Sequence, residues 1–171
     1  MLHRYKAWNG AMVTTAALAA VTTGTSIKTM QQLSTPATRM IQIVAWGYSM
    51  DDPPGADGVI DLIESDTAAT VTAYVASGVQ PLFTGVPASL LTLGVSNSGY
   101  TSSSETAPAT TRTLDAVSIS STSAEAAPVM KYEYWWPDQG GPVIAVSKFV
   151  RLRATTPTTA VDMRSWIMWD E

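Results

Sequence analysis

The sequence predicts an all-β protein, a β-sandwich or jelly roll of roughly seven to nine strands with one short helix. Three observations carry this. Apolar, β-branched runs recur at short intervals, each ended by Pro, Gly, Ser or Thr. Several of them alternate residue by residue, the period of a strand with one buried face. Helical periodicity surfaces once only, whereas a parallel α/β sheet needs repeated strand–helix–strand units.

Residues 1–10 read as a basic and aromatic N-terminal arm, with His3, Arg4, Tyr5, Lys6 and Trp8 before Gly10. So short a segment has little means of ordering itself, so its aromatics are expected to dock on their own domain or on a neighbour. Residues 11–171 then form a single β-sandwich domain. Residues 25–33 begin the strand pattern with Ile27 and Met30, and Ser34-Thr35-Pro36 ends it. Residues 39–50 are the strongest strand. Met40, Gln42, Val44, Trp46, Tyr48 and Met50 share one face, and Ile41, Ile43, Ala45 and Gly47 share the other. Two partly apolar faces make it a central strand. Asp51-Asp52-Pro53-Pro54-Gly55 is a loop, because Pro and Gly punctuate regular structure. A strand follows at 59–63.

The period then changes. Ser65 or Asp66 can cap a helix, and Ala68, Ala69, Ala73 and Ala76 favour one, so the short helix is placed at 67–76, with Gly78 as its stop. Leu90, Leu91 and Leu93 read as a short buried run. Residues 97–109, rich in Ser, Thr and Pro, read as the most flexible segment. Residues 111–120 alternate again, with Thr113, Asp115, Val117 and Ile119 on one face. Residues 129–136 are an aromatic strand, 143–153 a clear strand, and 160–169 the last one.

Composition narrows the chemistry. Charged residues make up 14% of the chain and the net charge is −4; a charged fraction nearer a quarter is usual. This balance does not suit binding to a phosphate backbone, and it suits surfaces that lie against other protein copies. With no Cys, packing or oligomerisation supplies the stability. No stretch reaches the length of a membrane span. Residues 11–21 come nearest but contain Thr14 and Thr15 and lack the layout of a signal peptide, so the chain reads as made and folded in a cytosol. His3 is the lone histidine, too few for a triad or a typical zinc site. The acids Asp51, Asp52, Asp57, Asp61, Glu64 and Asp66 fall in one turn-rich region; their spacing does not match a calcium loop and fits turn chemistry better. No paired carboxylates can be placed across a cleft for glycoside hydrolysis. Lys148, Arg151 and Arg153 form a basic patch of the size that is usually solvated or ion-paired. Tyr132, Tyr134, Trp135 and Trp136 suit an interface better than a sugar platform, since aromatics dominate cores and subunit contacts.

Trp8-Asn9-Gly10, Thr23-Gly24-Thr25, the run from Arg39 to Trp46-Gly47, Thr67-Ala68-Ala69-Thr70-Val71-Thr72 and the terminal Trp169-Asp170-Glu171 together give a pattern that resembles small virion-associated proteins of tailed bacteriophages. The resemblance runs over most of the chain and rests on structural motifs. It implies a β-sandwich that decorates or cements a capsid, often as a trimer or other homo-oligomer, located in a virion assembled in the host cytoplasm. The expected activity is non-catalytic binding, with no cofactor and no metal. The expected partners are a major capsid protein or other virion protein and further copies of the chain, with no nucleic acid and no membrane. The expected contact residues are Arg4, Tyr5, Lys6 and Trp8 in the arm, and Tyr134, Trp135 and Trp166 in the strands. A tail-associated or carbohydrate-binding β-sandwich that recognises a host surface through Tyr134, Trp135 and Trp136 is the alternative.

Overall fold

The computed structural model describes residues 3–11, 16–121, 131–137 and 140–171. Thirteen strands lie in it: β1 (Arg4–Trp8), β2 (Val21–Thr22), β3 (Lys28–Ser34), β4 (Ile41–Met50), β5 (Gly58–Ser65), β6 (Thr70–Ala73), β7 (Val79–Pro81), β8 (Gly99–Ser104), β9 (Thr111–Ile119), β10 (Lys131–Trp135), β11 (Val143–Ile144), β12 (Phe149–Thr155) and β13 (Asp162–Asp170). They form two sheets. Sheet A has seven strands, with the path β10-β4-β13-β1-β7 and the short β11 and β2 beside β4 and β13. Sheet B has six, in the order β6-β8-β3-β12-β5-β9. The strands pair antiparallel throughout. The protein is an all-β sandwich, as its alternating pattern predicts.

The two inner faces supply the core. Tyr5 and Ala7 of β1, Ile43, Trp46 and Tyr48 of β4, and Ile167 and Trp169 of β13 meet Met30 and Leu33 of β3, Ile60 and Leu62 of β5, and Val150 and Leu152 of β12. A bulge at Met168/Trp169 against β4 shifts the register between Ala45 and Ile43, which lets residues on both sides of it keep their apolar faces inward. The chain changes sheet at most of its connections, passing from β3 in sheet B to β4 in sheet A and back to β5. Two contacts fix which strands lie opposite each other. The Gln31 side-chain amide donates to Ala7 O at 2.9 Å and so joins β3 to β1. Trp46 Nε1 donates to Asp115 Oδ2 at 3.0 Å and joins β4 to β9.

Several elements differ from the sequence expectation. Residues 4–8, read as an arm, are a strand held on both sides, by β13 and by β7. Alternation of buried Tyr5 and Ala7 with Arg4, Lys6 and Trp8 is the reason: five residues suffice when the neighbours are already strands. The helix expected at 67–76 is strand β6 followed by a single 3-10 turn, Ala76–Gly78. β-branched Thr70, Val71 and Thr72 pair with β8, and tertiary pairing overrides the propensity of the flanking alanines. Residues 97–109, read as flexible, contain β8. Gly99 is required there, because a Cβ would meet the backbone of Thr72. The run expected at 143–153 splits into β11 and β12 at a turn where Ser147 takes φ +56°. Of the three leucines read as buried, Leu91 is buried while Leu90 and Leu93 are exposed. Parts of the 11–21 stretch and of the aromatic 129–136 run fall outside the described residues.

Candidate partner-binding surface

The outer face of sheet A carries a second, smaller apolar cluster. Ala45, Trp166 and Met168 are buried, with Trp8 and Val44 packed on them. Strand register builds this cluster. Trp8 pairs with Trp166, and Trp166 with Gly47. One step along, Lys6 pairs with Met168, Met168 with Ala45, and Ala45 with Trp135. Side chains on one face of neighbouring strands interact when opposite or diagonal, so three indoles from β1, β13 and β10 converge. Gly47 makes room: a Cβ there would sit 2.9 Å from the Trp166 ring and 2.6 Å from Tyr132 O. Trp166 therefore lies flat over bare backbone, and Trp135 leans against it with ring centroids 6.0 Å apart at 54°.

Lys6 completes the patch. Its Nζ lies 4.3 Å from the centre of the Trp8 ring and 4.1 Å from that of Trp166. An ammonium over an indole face is attracted by the ring quadrupole. Burial pushes the Lys6 amine below its ordinary range, and the Glu133 carboxylate partly offsets this. Lys6 and Trp135 cover Trp166, which is 6% exposed, while Trp135 itself is 54% exposed.

The seven residues expected to make contacts are thus distributed unevenly. Lys6, Trp8, Trp135 and Trp166 come together on this face. Arg4 lies at its end, locked to Asp170 by two bonds of 2.8 Å. Tyr5 points into the sandwich, where it is 1% exposed, stacks on Trp169 and donates to Pro87 O, so no surface of it is left for a partner. Tyr134 is on the opposite face of β10 from Trp135. It meets Trp136 edge-on at 84°, so the two rings do not make a flat platform.

A site that the sequence reading did not single out lies between the sheets. Asp115 Oδ2 accepts from Trp46 Nε1 at 3.0 Å and from Tyr132 Oη at 2.9 Å, and Oδ1 accepts from the Ala116 N–H at 2.8 Å. Tyr48 and Tyr132 stack beside it, 5.9 Å apart. Burial pushes both phenols up to about 12, and the hydrogen bond and charge of Asp115 add to the rise at Tyr132. The Tyr48 hydroxyl has no partner among the described residues. The available signal was an acid in phase with Val117 and Ile119 on one strand face.

The acids and bases of the sequence reading are largely spent on one another. Asp51 pairs with Arg164, Asp61 with Arg153, Glu64 with Arg112 and Asp66 with Lys148. Asp57 accepts from the Ser121 N–H. Arg151, 1% exposed, is held by Thr29 Oγ1, Thr106 O and Glu105. A hollow of about 470 Å³ opens beside Asp51, Asp52 and Asp162. Among the described residues no group of three or more His, Asp or Glu side chains is arranged to hold a metal ion.

Compared with protein-family models, curated proteins and solved structures, the chain matches none.

Proposed function

We propose that this chain is an assembly protein that works by docking, and that the assembly is the virion of a tailed bacteriophage. The observation that carries the docking reading is the outer face of sheet A. There a half-exposed Trp135, a buried Trp166 and Lys6 sit on a rigid central sheet. Tryptophan and cationic anchors ringed by near-neutral contacts are the usual source of binding energy at protein surfaces. These side chains are held by packing in the free protein, which lowers the ordering cost of association. The virion as destination rests on the sequence resemblance. In this reading the shell or another virion protein meets Trp135, Trp8 and Lys6, and copies of the chain associate with one another.

Cosedimentation tests it. The tagged chain is sedimented with tailed-phage particles assembled in the cell that makes it. Wild type pellets with the particles. Trp135→Glu stays in the supernatant, with the same melting temperature as wild type. A wild-type chain that does not travel with particles overturns the proposal, and specific glycan binding lost in Trp135→Ala replaces it with the carbohydrate reading.

A further inference from the structure

The two flanks of the sandwich differ in chemistry. On one side β9 lies against β4 and β10, and that flank carries Arg112, Asp115, Lys131 and Glu133. On the other side lie β6 and β7, the edge strands of sheets B and A. The Tyr74 hydroxyl, just after β6, bonds to Trp8 O on β1, so both edges fall on the same flank. The chain from residue 67 to residue 104 contains β6, β7, β8 and the connection 82–98. It has no Asp, Glu, Lys, Arg or His. Along it Val75, Leu82, Phe83, Leu90, Leu93 and Val95 stand exposed, with Val75 at 62% and Phe83 at 58%. Ala76, Val79, Leu91 and Leu93 line one shallow dimple between them.

The connection is fixed in shape although its side chains face solvent. Leu82 N donates to Arg4 O at 2.9 Å, Tyr5 Oη to Pro87 O at 2.9 Å, Thr92 N to Ser34 O at 3.1 Å and Val71 N to Val95 O at 2.7 Å. Leu90 N donates to Glu171 Oε2 at 2.9 Å. Exposed apolar side chains on an anchored backbone cost little ordering entropy to bury, and contiguous exposed apolar surface marks interaction sites.

We propose that this flank is a self-association surface, covered by the same flank of a second copy of the chain. Charge selects the occupant. A charged partner surface would lose its solvation here and find no counter-ion on residues 67–104; the adjoining Glu171 carboxylate is buried and already accepts from Leu90 N, Ser89 and Trp169. A second copy brings a surface equally free of charge. Two chains of net charge −4 also repel least where neither carries charge at the contact. A twofold arrangement of like against like closes on itself and leaves no free copy of the patch. Side chains make the contact. β6 and β7 are four and three residues long, and β7 ends in Pro81, so neither edge suits continuing a sheet into a neighbour. The inference names the surface for the self-association in the proposed function and rests on that reading.

The test is molar mass by light scattering across the micromolar range, on wild type, Phe83→Asp, Leu93→Asp and Val75→Lys, with Trp135→Asp as the comparison on the other surface. Wild type gives a twofold mass. Each flank variant weakens the dimer at least tenfold while keeping wild-type tryptophan fluorescence and the melting temperature of wild type diluted to monomer, and Trp135→Asp stays dimeric. Three changed exposed positions guard against one that fails to fold. A wild-type monomer or trimer, a dimer that survives the three flank changes, or a dimer broken only by Trp135→Asp overturns the inference. A flank dimer that does not cosediment with particles removes the virion assignment and leaves the inference standing.

Discussion

Asp115→Ala should loosen the sandwich at a single point. The substitution removes the acceptor of Trp46 Nε1–H, of Tyr132 Oη–H and of the Ala116 N–H. Trp46 is 0% exposed, so its N–H cannot turn to water; an orphaned buried donor costs about 1–3 kcal/mol. Tyr132 is only half-buried, so its hydroxyl recovers water and loses nearer 0.5–1.5 kcal/mol, roughly one net hydrogen bond. The Ala116 N–H is exposed and adds little. The sum is about 1.5–4.5 kcal/mol, or roughly 3–18 °C of melting temperature for a chain of this size. Urea unfolding followed by tryptophan emission measures it, and Asp115→Asn, which keeps one acceptor oxygen, should lose less. A spectroscopic readout separates the hydrogen bond from mere packing. Without the carboxylate, the Tyr132 phenol should titrate lower than about 12, seen in the phenolate absorbance, while Tyr48 stays high through burial. An Asp115→Ala protein as stable as wild type, with Tyr132 unmoved, would refute the reasoning.

Alkali should act through these two phenols together with Tyr5 and Tyr74, which burial also pushes up. The folded values of Tyr48 and Tyr132 lie near 12, above the ordinary value of 10. The unfolded chain therefore releases its protons first, and stability is full below pH 10 and falls as pH rises from 10 through 12; urea midpoints across that window check this. Gly47→Ala should cost about 1–3 kcal/mol by overpacking, because the new methyl meets Trp166 and the Tyr132 carbonyl, and it should change tryptophan emission along with the urea midpoint. Arg151→Leu should cost about 3–5 kcal/mol, since it strips a nearly buried cation from Glu105. Hydrogen exchange should then quicken in residues 105–110, whose carbonyl at Thr106 the guanidinium holds; unchanged exchange there would show that other contacts hold the segment.

The fold class was legible because alternation is written residue by residue. The pattern of residues 39–50 showed a strand with both faces partly apolar, and β4 is one, but the bulge at Met168/Trp169 breaks strict alternation, so Ile43 and Trp46, read onto opposite faces, both pack inward while Ala45 packs outward. What failed was local propensity set against pairing. The alanines around Thr70-Val71-Thr72 argue helix only while β8 is invisible. The strand at residues 4–8 was missed for the same reason: its aromatics dock on their own domain, one of the two expected outcomes, but β13 and β7, which make the segment a strand, lie far along the chain. Among the expected contact residues, adjacency along β10 puts Trp135 and Tyr134 on opposite faces, so only one of the two can join a given surface. Adjacency could not say that Tyr5 faces the core, because which face of β1 turns inward depends on strands far along the chain. Asp115 was visible as an acid on an apolar face, but its two partners lie on strands distant in sequence.

The repeated passage of the chain between layers has a kinetic consequence. β3, β4 and β5 are consecutive in sequence, yet β4 hydrogen-bonds to neither of the other two. No early hairpin can zip from these neighbours, so the polypeptide has to close long loops before either layer gains its bonding partners. Such topologies refold slowly and as one cooperative unit, and truncating the chain at any of these crossings should leave an aggregating fragment in place of a smaller folded one.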